Sequence, residues 1–397
     1  MKILTVNYGS SSIKCSLYEF KEPSIPSNMP LLEACIEWKN NFETPSLTIK
    51  RTKEIQQFQL TLQKTKQEAL EYLMTVVGPL DEISVIGHRI VHGGSYFHES
   101  VYITPEIKEK IHLLSKLAPL HNLSELESIE TLQKLLPNTP QIAVFDTSFH
   151  HTLPKAVQTY PGPYSWEEEG IKRYGFHGIS FQYCTKQSAH LLHKDLKNLK
   201  MVICHLGSGA SLCAVKNGIS LDTTMGFTPL EGLMMDTRSG SIDPGILLYL
   251  LENKKKSLQE LSHELYKESG LLGISGISSD MRDILKESLN GHFRAILALD
   301  IYIHRLVSLI GSMIASLQGI NVLVFTAGIG ENTPLLRERV CNSFSFLGLQ
   351  LDKTKNTKNP AEDCELSTAD SKVKVLLIHT QEAFEIACEC FNKTNRN

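Results

Sequence analysis

A chain of 397 residues with 42% hydrophobic content can bury large cores, and two domains are the natural expectation. Its 40 Lys and Arg against 43 Asp and Glu leave a formal charge of −3, which provides neither a basic field for nucleic acid nor an acidic tail; any anion site must be local. The cysteines are scattered and odd in number, and the closest pair, Cys388 and Cys390, is a C-x-C rather than a zinc or redox C-x-x-C, a usage that suits free thiols in a reducing cytoplasm.

The first apolar run, residues 3–6, is too short for a signal-peptide core, so no export is expected. It enters the turn Gly9-Ser10-Ser11-Ser12 and leaves in a second alternating run through Lys14 and Cys15. Such a strand–turn–strand unit is expected to leave turn N–H groups pointing outward, an arrangement that suits anions. After a loop at residues 22–30, the apolar strand of residues 83–86 leads into His88-Arg89-Ile90-Val91-His92-Gly93-Gly94. A guanidinium at a strand end beside two glycines can grip a small carboxylate or phosphate, or serve a structural ion pair; both readings stand at this point. Thr104-Pro105 predicts a helix start with Ile107, Ile111 and Leu114 on one face, and Ser124-x-x-Glu127 reads as a capping box before Leu126, Ile129, Leu132 and Leu136. Between them lies the loop of residues 118–122 with His121. The strand of residues 141–145 ends at Asp146, which places a carboxylate at the strand edge where open α/β sheets carry their chemistry.

In the second half, Tyr160-Pro161-Gly162-Pro163 marks a loop near the expected domain boundary, and His177 sits in Tyr174-Gly175-Phe176-His177-Gly178. A lone loop histidine is usually a satisfied hydrogen-bonder; two such loops with Asp146 strengthen a functional reading. Residues 201–213 then repeat residues 3–15 without a gap, now around Gly207-Ser208-Gly209, which suggests a duplicated domain with one phosphate loop per half. Residues 222–244 lack strand alternation and full helical periodicity, and Arg238 is their candidate for stabilising transferring charge, against the alternative of a solvated arginine. Residues 295–317 read as a buried helix rather than a bilayer span, interrupted by Asp300, His304 and Arg305. The strand of residues 322–326 is followed by Gly328-Ile329-Gly330-Glu331-Asn332 and a helix near Pro334, a turn suited to a nucleotide, and residues 353–360 read as a loop. There is no G-x-x-x-x-G-K-[ST], complete G-x-G-x-x-G or H-E-x-x-H.

Taken together, these motifs resemble the acetate kinase family, within the larger group of acetate and sugar kinases, Hsp70 and actin, nearly from end to end. The resemblance implies an α/β protein of two ribonuclease-H-like (actin-like ATPase) domains with a central cleft, residues 1–148 plus 383–397 and residues 149–382, usually as a cytoplasmic homodimer without nucleic-acid or membrane partners. It implies reversible phosphoryl transfer between ATP and acetate, giving acetyl phosphate and ADP with Mg²⁺ or Mn²⁺. Arg89 would hold the acetate carboxylate, with Val91, Leu120, Phe176 and Pro229 around its methyl group. Asp146, His177, Arg238 and His121 match the catalytic positions, and Asn7 and Glu382 the magnesium positions. Ser10, Ser12, Lys14, His205, Leu206, Gly207, Ser208, Gly209, Asp280, Met281, Arg282 and Gly328 to Asn332 match the nucleotide contacts.

Several residues depart from the family pattern: Tyr8 for Ser, Ser208 for Asn, Leu123 for Pro, Phe181 for His, Ala383 for an acid, Asp236 for Gly and Ser241 for Asp. The acid near Arg238 has thereby moved to its other side, as compensation or as a resting ion-pair partner. A propionate or butyrate kinase is the rival within the enzyme class, since a pocket distinguishes one methylene by only about 1–3 kcal/mol. A nucleotide-binding sensor with weakened catalysis is the rival from another class. Retention of Asn7, Arg89, Asp146, His177, Arg238 and Glu382 argues against it, because a binding module needs no substrate arginine.

Overall fold

The computed structural model describes residues 1–9, 12–21, 29–39, 44–51, 54–60, 65–118 and 121–395, so Ser10, Leu120 and most of the loop expected at residues 22–30 lie outside the described residues. The chain divides into two compact units, residues 1–149 with 178–180 and 381–397, and residues 150–177 with 181–380.

The first unit is built on β1 (Lys2–Tyr8), β2 (Ser12–Glu19), β3 (Leu32–Lys39), β4 (Thr44–Arg51), β5 (Glu54–Gln59), β6 (Ile83–Ile90), β7 (Val101–Tyr102) and β8 (Gln141–Phe145), in the order β5-β4-β3-β2-β1-β6-β8-β7. β1 runs parallel to β6, and β6 to β8, while β1–β2 and β2–β3 are antiparallel. The alternation of β1 sends Leu4, Val6 and Tyr8 into a cluster with Leu70 and Leu73 of the helix Lys66–Val77 and Leu132 of the helix Asn122–Leu135. Ile3 points to the other face, where Ile386 and Cys390 of the helix Glu382–Asn395 pack. Gly87 permits that packing, because a Cβ there would lie 2.6 Å from Cys390 Sγ and 2.7 Å from Ile386 Cγ2.

The second unit carries β9 (Lys200–Leu206), β10 (Ala210–Lys216), β11 (Ile219–Thr223), β12 (Val322–Thr326), β13 (Cys364–Glu365) and β14 (Lys374–Leu377), ordered β11-β10-β9-β12-β14-β13. Three antiparallel strands followed by two parallel ones, β11-β10-β9-β12-β14, repeat the pattern β3-β2-β1-β6-β8. Both expected phosphate turns therefore join the first two strands of equivalent sheets. The helix Phe293–Leu317 buries Ala295, Leu299, Tyr302, Leu306, Ile310, Met313 and Leu317 along one stripe. It is the one helix among the described residues long and apolar enough to cross a membrane by length and composition, and it packs against β9, β10 and β11.

Several expected boundaries move. β6 runs on to Ile90, so Arg89 is on the strand rather than past it. The capping box at Ser124 does not form: the helix starts at Asn122, and Glu127 instead accepts a bond from Tyr8 Oη at 3.3 Å. Gly328 to Asn332 is not an open turn but lies in the short helix Ala327–Asn332, with the helix Pro334–Ser343 following. Residues 353–358 are helical because Asp352 caps Lys355 N–H at 3.0 Å, and Asn359 ends the helix at φ 48°.

Candidate active site

In the first unit, three neighbouring parallel strands end on candidate site residues. Asn7 lies near the end of β1, Arg89 on β6, and Asp146 just past β8, with Val6 paired to His88 and Ile90 to Phe145. Asp146 is 1% exposed, and it takes Arg89 Nε at 3.2 Å and Nη2 at 2.5 Å on its two oxygens. Arg89 Nη1 also donates to Asn7 Oδ1 at 3.4 Å, and Glu382, the first residue of its helix, lies 3.8 Å from Arg89 Nε. Part of the guanidinium fork stays unused by these partners. Burial opposes the arginine's charge, but Asp146 and Glu382 outweigh it and hold Arg89 firmly protonated. Burial raises the Asp146 carboxyl above its usual range, with Arg89 opposing and Glu382 adding to the rise.

Behind this cluster lies Glu125, 4% exposed, whose two oxygens accept the Val91 N–H at 3.2 and 3.1 Å. Burial pushes its carboxyl up to about 8, against the Val91 N–H and Arg89. A raised carboxyl stabilises the fold fully below its unfolded value near 4.5 and loses that contribution as pH rises through 8. Glu125→Gln should therefore gain stability relative to the parent as pH rises across that window, measured as the difference in urea midpoint. A difference independent of pH would show that Glu125 is ionised throughout.

The second unit gathers a different set. His177, held at φ 59°, sets its Nδ1 2.8 Å from Ser211 Oγ and stacks on His205 with ring centroids 4.2 Å apart. Gly207 N–H closes back onto Gly209 O at 3.1 Å, as Gly9 N–H does onto Ser12 O at 2.8 Å, so the first glycine of each turn does not point outward as expected. Ser208 and Gly209 keep N–H groups with no acceptor among the described residues. A Cβ at Gly209 would lie 3.4 Å from His177 Nε2 and 3.6 Å from Arg238 Nη1, which places the imidazole and the guanidinium beside the loop. Arg238 donates to Pro229 O at 3.0 Å and to Met235 Sδ at 3.7 Å, has no carboxylate hydrogen-bonded to it among the described residues, and has its charge disfavoured by burial with Asp236 opposing. Asp236 bonds to Ser208 Oγ and Thr237 N–H, so the resting ion pair with Arg238, one of the two roles open to this acid, is not formed.

Ala327–Asn332 starts where β12 pairs with β9 at Thr326 and His205, and Ala327 Cβ lies 3.6 Å from the Cβ position of Gly207. Glu331 Oε1 accepts Ala327 N–H at 2.8 Å and Thr380 N–H at 3.2 Å. Arg337, fully buried, donates to Gly330 O and Glu331 O at 2.8 and 2.7 Å and fixes the helix from behind. Sheet pairing thus brings the second glycine turn and the Gly328 to Asn332 segment together.

The Acetokinase family model matches residues 2–388. An acetate kinase from Trichormus variabilis is 49% identical over the full length of both chains. The crystal structure of Porphyromonas gingivalis acetate kinase superposes with a TM-score of 0.88 at 37% identity, covering 98% of this chain and 99% of the other. A propionate kinase from Francisella tularensis gives 0.88 at 35% identity, with 98% of each chain covered. This chain belongs to the acetokinase family.

Against the acetokinase pattern, Asn7, Arg89, Asp146 and Glu382 form one cluster, and His177, His205, Gly207 to Gly209, Arg238 and Pro229 another. Of the residues expected around the methyl group, Val91 belongs to the first unit and Phe176 and Pro229 to the second. His121 is the N-cap residue of Asn122–Leu135. Lys14 pairs with Asn7 across the β1–β2 ladder and has an exposed side chain; Ser12 opens β2. Asp280 caps the helix Met281–Leu289 and pairs with Arg282 at 2.5 Å, a local contact.

Some departures from the acetokinase pattern have partners. Tyr8 places its ring 5.7 Å from Lys66 Nζ, which also donates to Gly9 O at 3.1 Å, and Phe181 sets its edge against His150 and His205. Arg173 escaped sequence reasoning: it binds the carbonyls of Thr223, Thr224 and Met225 and the Glu231 carboxylate at 2.7 Å, tying down the start of the Arg238 loop.

Proposed function

We propose that the protein transfers a phosphoryl group reversibly between ATP and acetate, giving acetyl phosphate and ADP. The observation that carries this reading is Arg238, a half-buried guanidinium beside a glycine turn and His177 with no carboxylate hydrogen-bonded to it among the described residues. A structural arginine in that setting is normally neutralised by an acid; one left without is suited to charge that arrives with substrate.

An acetate carboxylate with a pKa of about 4 to 5 is ionised near neutrality and needs no general base. Asp146, which takes Arg89 on both oxygens, acts as the orienter of that arginine rather than as a base. The remaining N–H groups of Arg89 hold the acetate, one of whose oxygens forms the new bond to the terminal phosphorus while the bond from phosphorus to the ADP oxygen breaks. Arg238 and His177 balance charge on the transferring group, and the Ser208 and Gly209 N–H groups take phosphate oxygens. Asn7 and Glu382 offer an amide oxygen and a carboxylate beside Arg89, an oxygen-only set that fits Mg²⁺ or Mn²⁺ completed by phosphates. When bound, that ion would neutralise phosphate charge.

Val91 contributes the acyl-pocket wall from its Glu125-fixed backbone. Val91→Ala should shift the ratio of kcat/KM from acetate toward propionate by about tenfold, within the 1–3 kcal/mol that a methylene carries. An unchanged ratio would remove Val91 from the pocket. A second copy of the chain suits the exposed apolar positions Phe293, Ile296 and Leu297, which share one helical face. None of the nine cysteines forms a disulfide among the described residues, which supports a reducing cytoplasm. Hydroxamate trapping of the acyl phosphate tests the reaction itself.

A further inference from the structure

We infer that Ser208 and Asp236 are paired positioning residues, a latch that holds the second glycine turn in register with the Arg238 loop. The inference rests on the phosphoryl-transfer reading above and assigns a role to two positions at which this chain departs from its family. Residues 208 and 236 are joined twice: Ser208 Oγ donates to Asp236 Oδ2, and Asp236 N–H donates to Ser208 O at 3.4 Å. The other carboxylate oxygen accepts Thr237 N–H at 2.7 Å, so the side chain is fixed from both directions.

Both ends of the latch lead toward Arg238. On one side, Gly209 follows Ser208 directly, and its Cα–Cβ direction faces His177 Nε2 and Arg238 Nη1 at 3.4 and 3.6 Å. On the other, Met235 N–H closes on Arg238 O at 3.1 Å, and Met235 O and Asp236 O accept Leu271 and Leu272 N–H at 2.9 Å. The base of the Arg238 loop is therefore anchored, and the latch transfers that anchorage to the glycine turn. A shift of Ser208 would carry Gly209 toward or away from the guanidinium and misplace the N–H groups facing the phosphates, where small errors of position are expensive in rate.

The neighbouring departure is accounted for separately. Ser241 Oγ accepts Gly232 N–H at 3.0 Å and closes the far end of the same loop without touching Asp236. The acid at 236 is therefore not a relocated substitute for the one missing at 241. Its partner is the serine at 208, and the two replacements form one unit.

A double-mutant cycle tests this with Ser208→Ala, Asp236→Ala, the double variant and Asp236→Asn, all in the full chain, reading kcat, the KM values for ATP and acetate, and Tm. Each alanine variant should lower kcat about tenfold, the low end for a hydrogen bond to a charged group, with the acetate KM and Tm unchanged. The double variant should lose about tenfold as well, because the second change removes nothing further, and Asp236→Asn, which still accepts from Ser208, should keep most of the activity. Losses that multiply to about a hundredfold in the double variant, or a Ser208→Ala variant with the parent's kcat, would overturn the latch. Acetyl phosphate formation by the parent in the same assay separates the two readings: a parent that forms none refutes the reaction, whereas an active parent with independent variants refutes the latch alone.

Discussion

Arg238→Ala should lower turnover by about 10³ to 10⁵, the loss that follows removal of an arginine finger. The side chain donates to a main-chain carbonyl and a thioether sulfur, so its removal leaves no carboxylate stranded. The thermal midpoint should stay within a few degrees of the parent, and nucleotide affinity should change far less than kcat. That combination separates a group acting on the transferring phosphoryl from one that holds the loop together. Arg173, which binds three carbonyls and a carboxylate of the same loop, has the opposite character.

Arg89→Ala should have two effects at once. Asp146, 1% exposed, would lose both of its bonds from Arg89, and breaking such a buried pair typically costs about 3–5 kcal/mol. The acetate site would also lose its cation, lowering kcat/KM for acetate by about 10² to 10³. Arg89→Lys separates the two: it keeps the charge, and with it much of the stability, but a single ammonium cannot reproduce the fork that serves Asp146 and Asn7 together. Denaturant midpoints and acetate saturation curves on both variants measure the division. Parent-like acetate kinetics in the lysine variant would show that only charge, and not the geometry of the fork, is used.

Local patterns revealed a good part of the fold around the candidate site. The two strand–turn–strand units, the helix capped by Thr104 with Pro105 at its first position, and Asp146 at the end of β8 are fixed by residues adjacent in sequence, so periodicity and turn chemistry find them. The helix Ala327–Asn332 hides because its glycines read as a turn, whereas Glu331 folds back onto Ala327 N–H and Arg337 holds its last carbonyls. The signal of Arg337 lies outside that segment. Glu125 was missed for a related reason: its partner, the Val91 N–H, lies 34 residues away, and nothing local distinguishes it from the solvated acids of an amphipathic helix. Burial pushes the rings of His88 and His150 down to about 4, which no local pattern in the sequence signals. Each stays neutral in the fold, so its contribution to stability is present above the unfolded value of 6.5 and is lost as pH falls toward 4.

The proposed reaction assigns Arg89 to the acetate and Arg238 to the transferring phosphoryl group. The most direct measurement is hydroxamate trapping of acyl phosphate with ATP and Mg²⁺, using acetate, propionate and butyrate in parallel. Acetate should give the highest kcat/KM, and Arg238→Ala should leave no acetyl hydroxamate above background. A parent enzyme that forms no acyl phosphate from any of the three acids, or an Arg238→Ala variant that forms it at the parent's rate, would contradict the account.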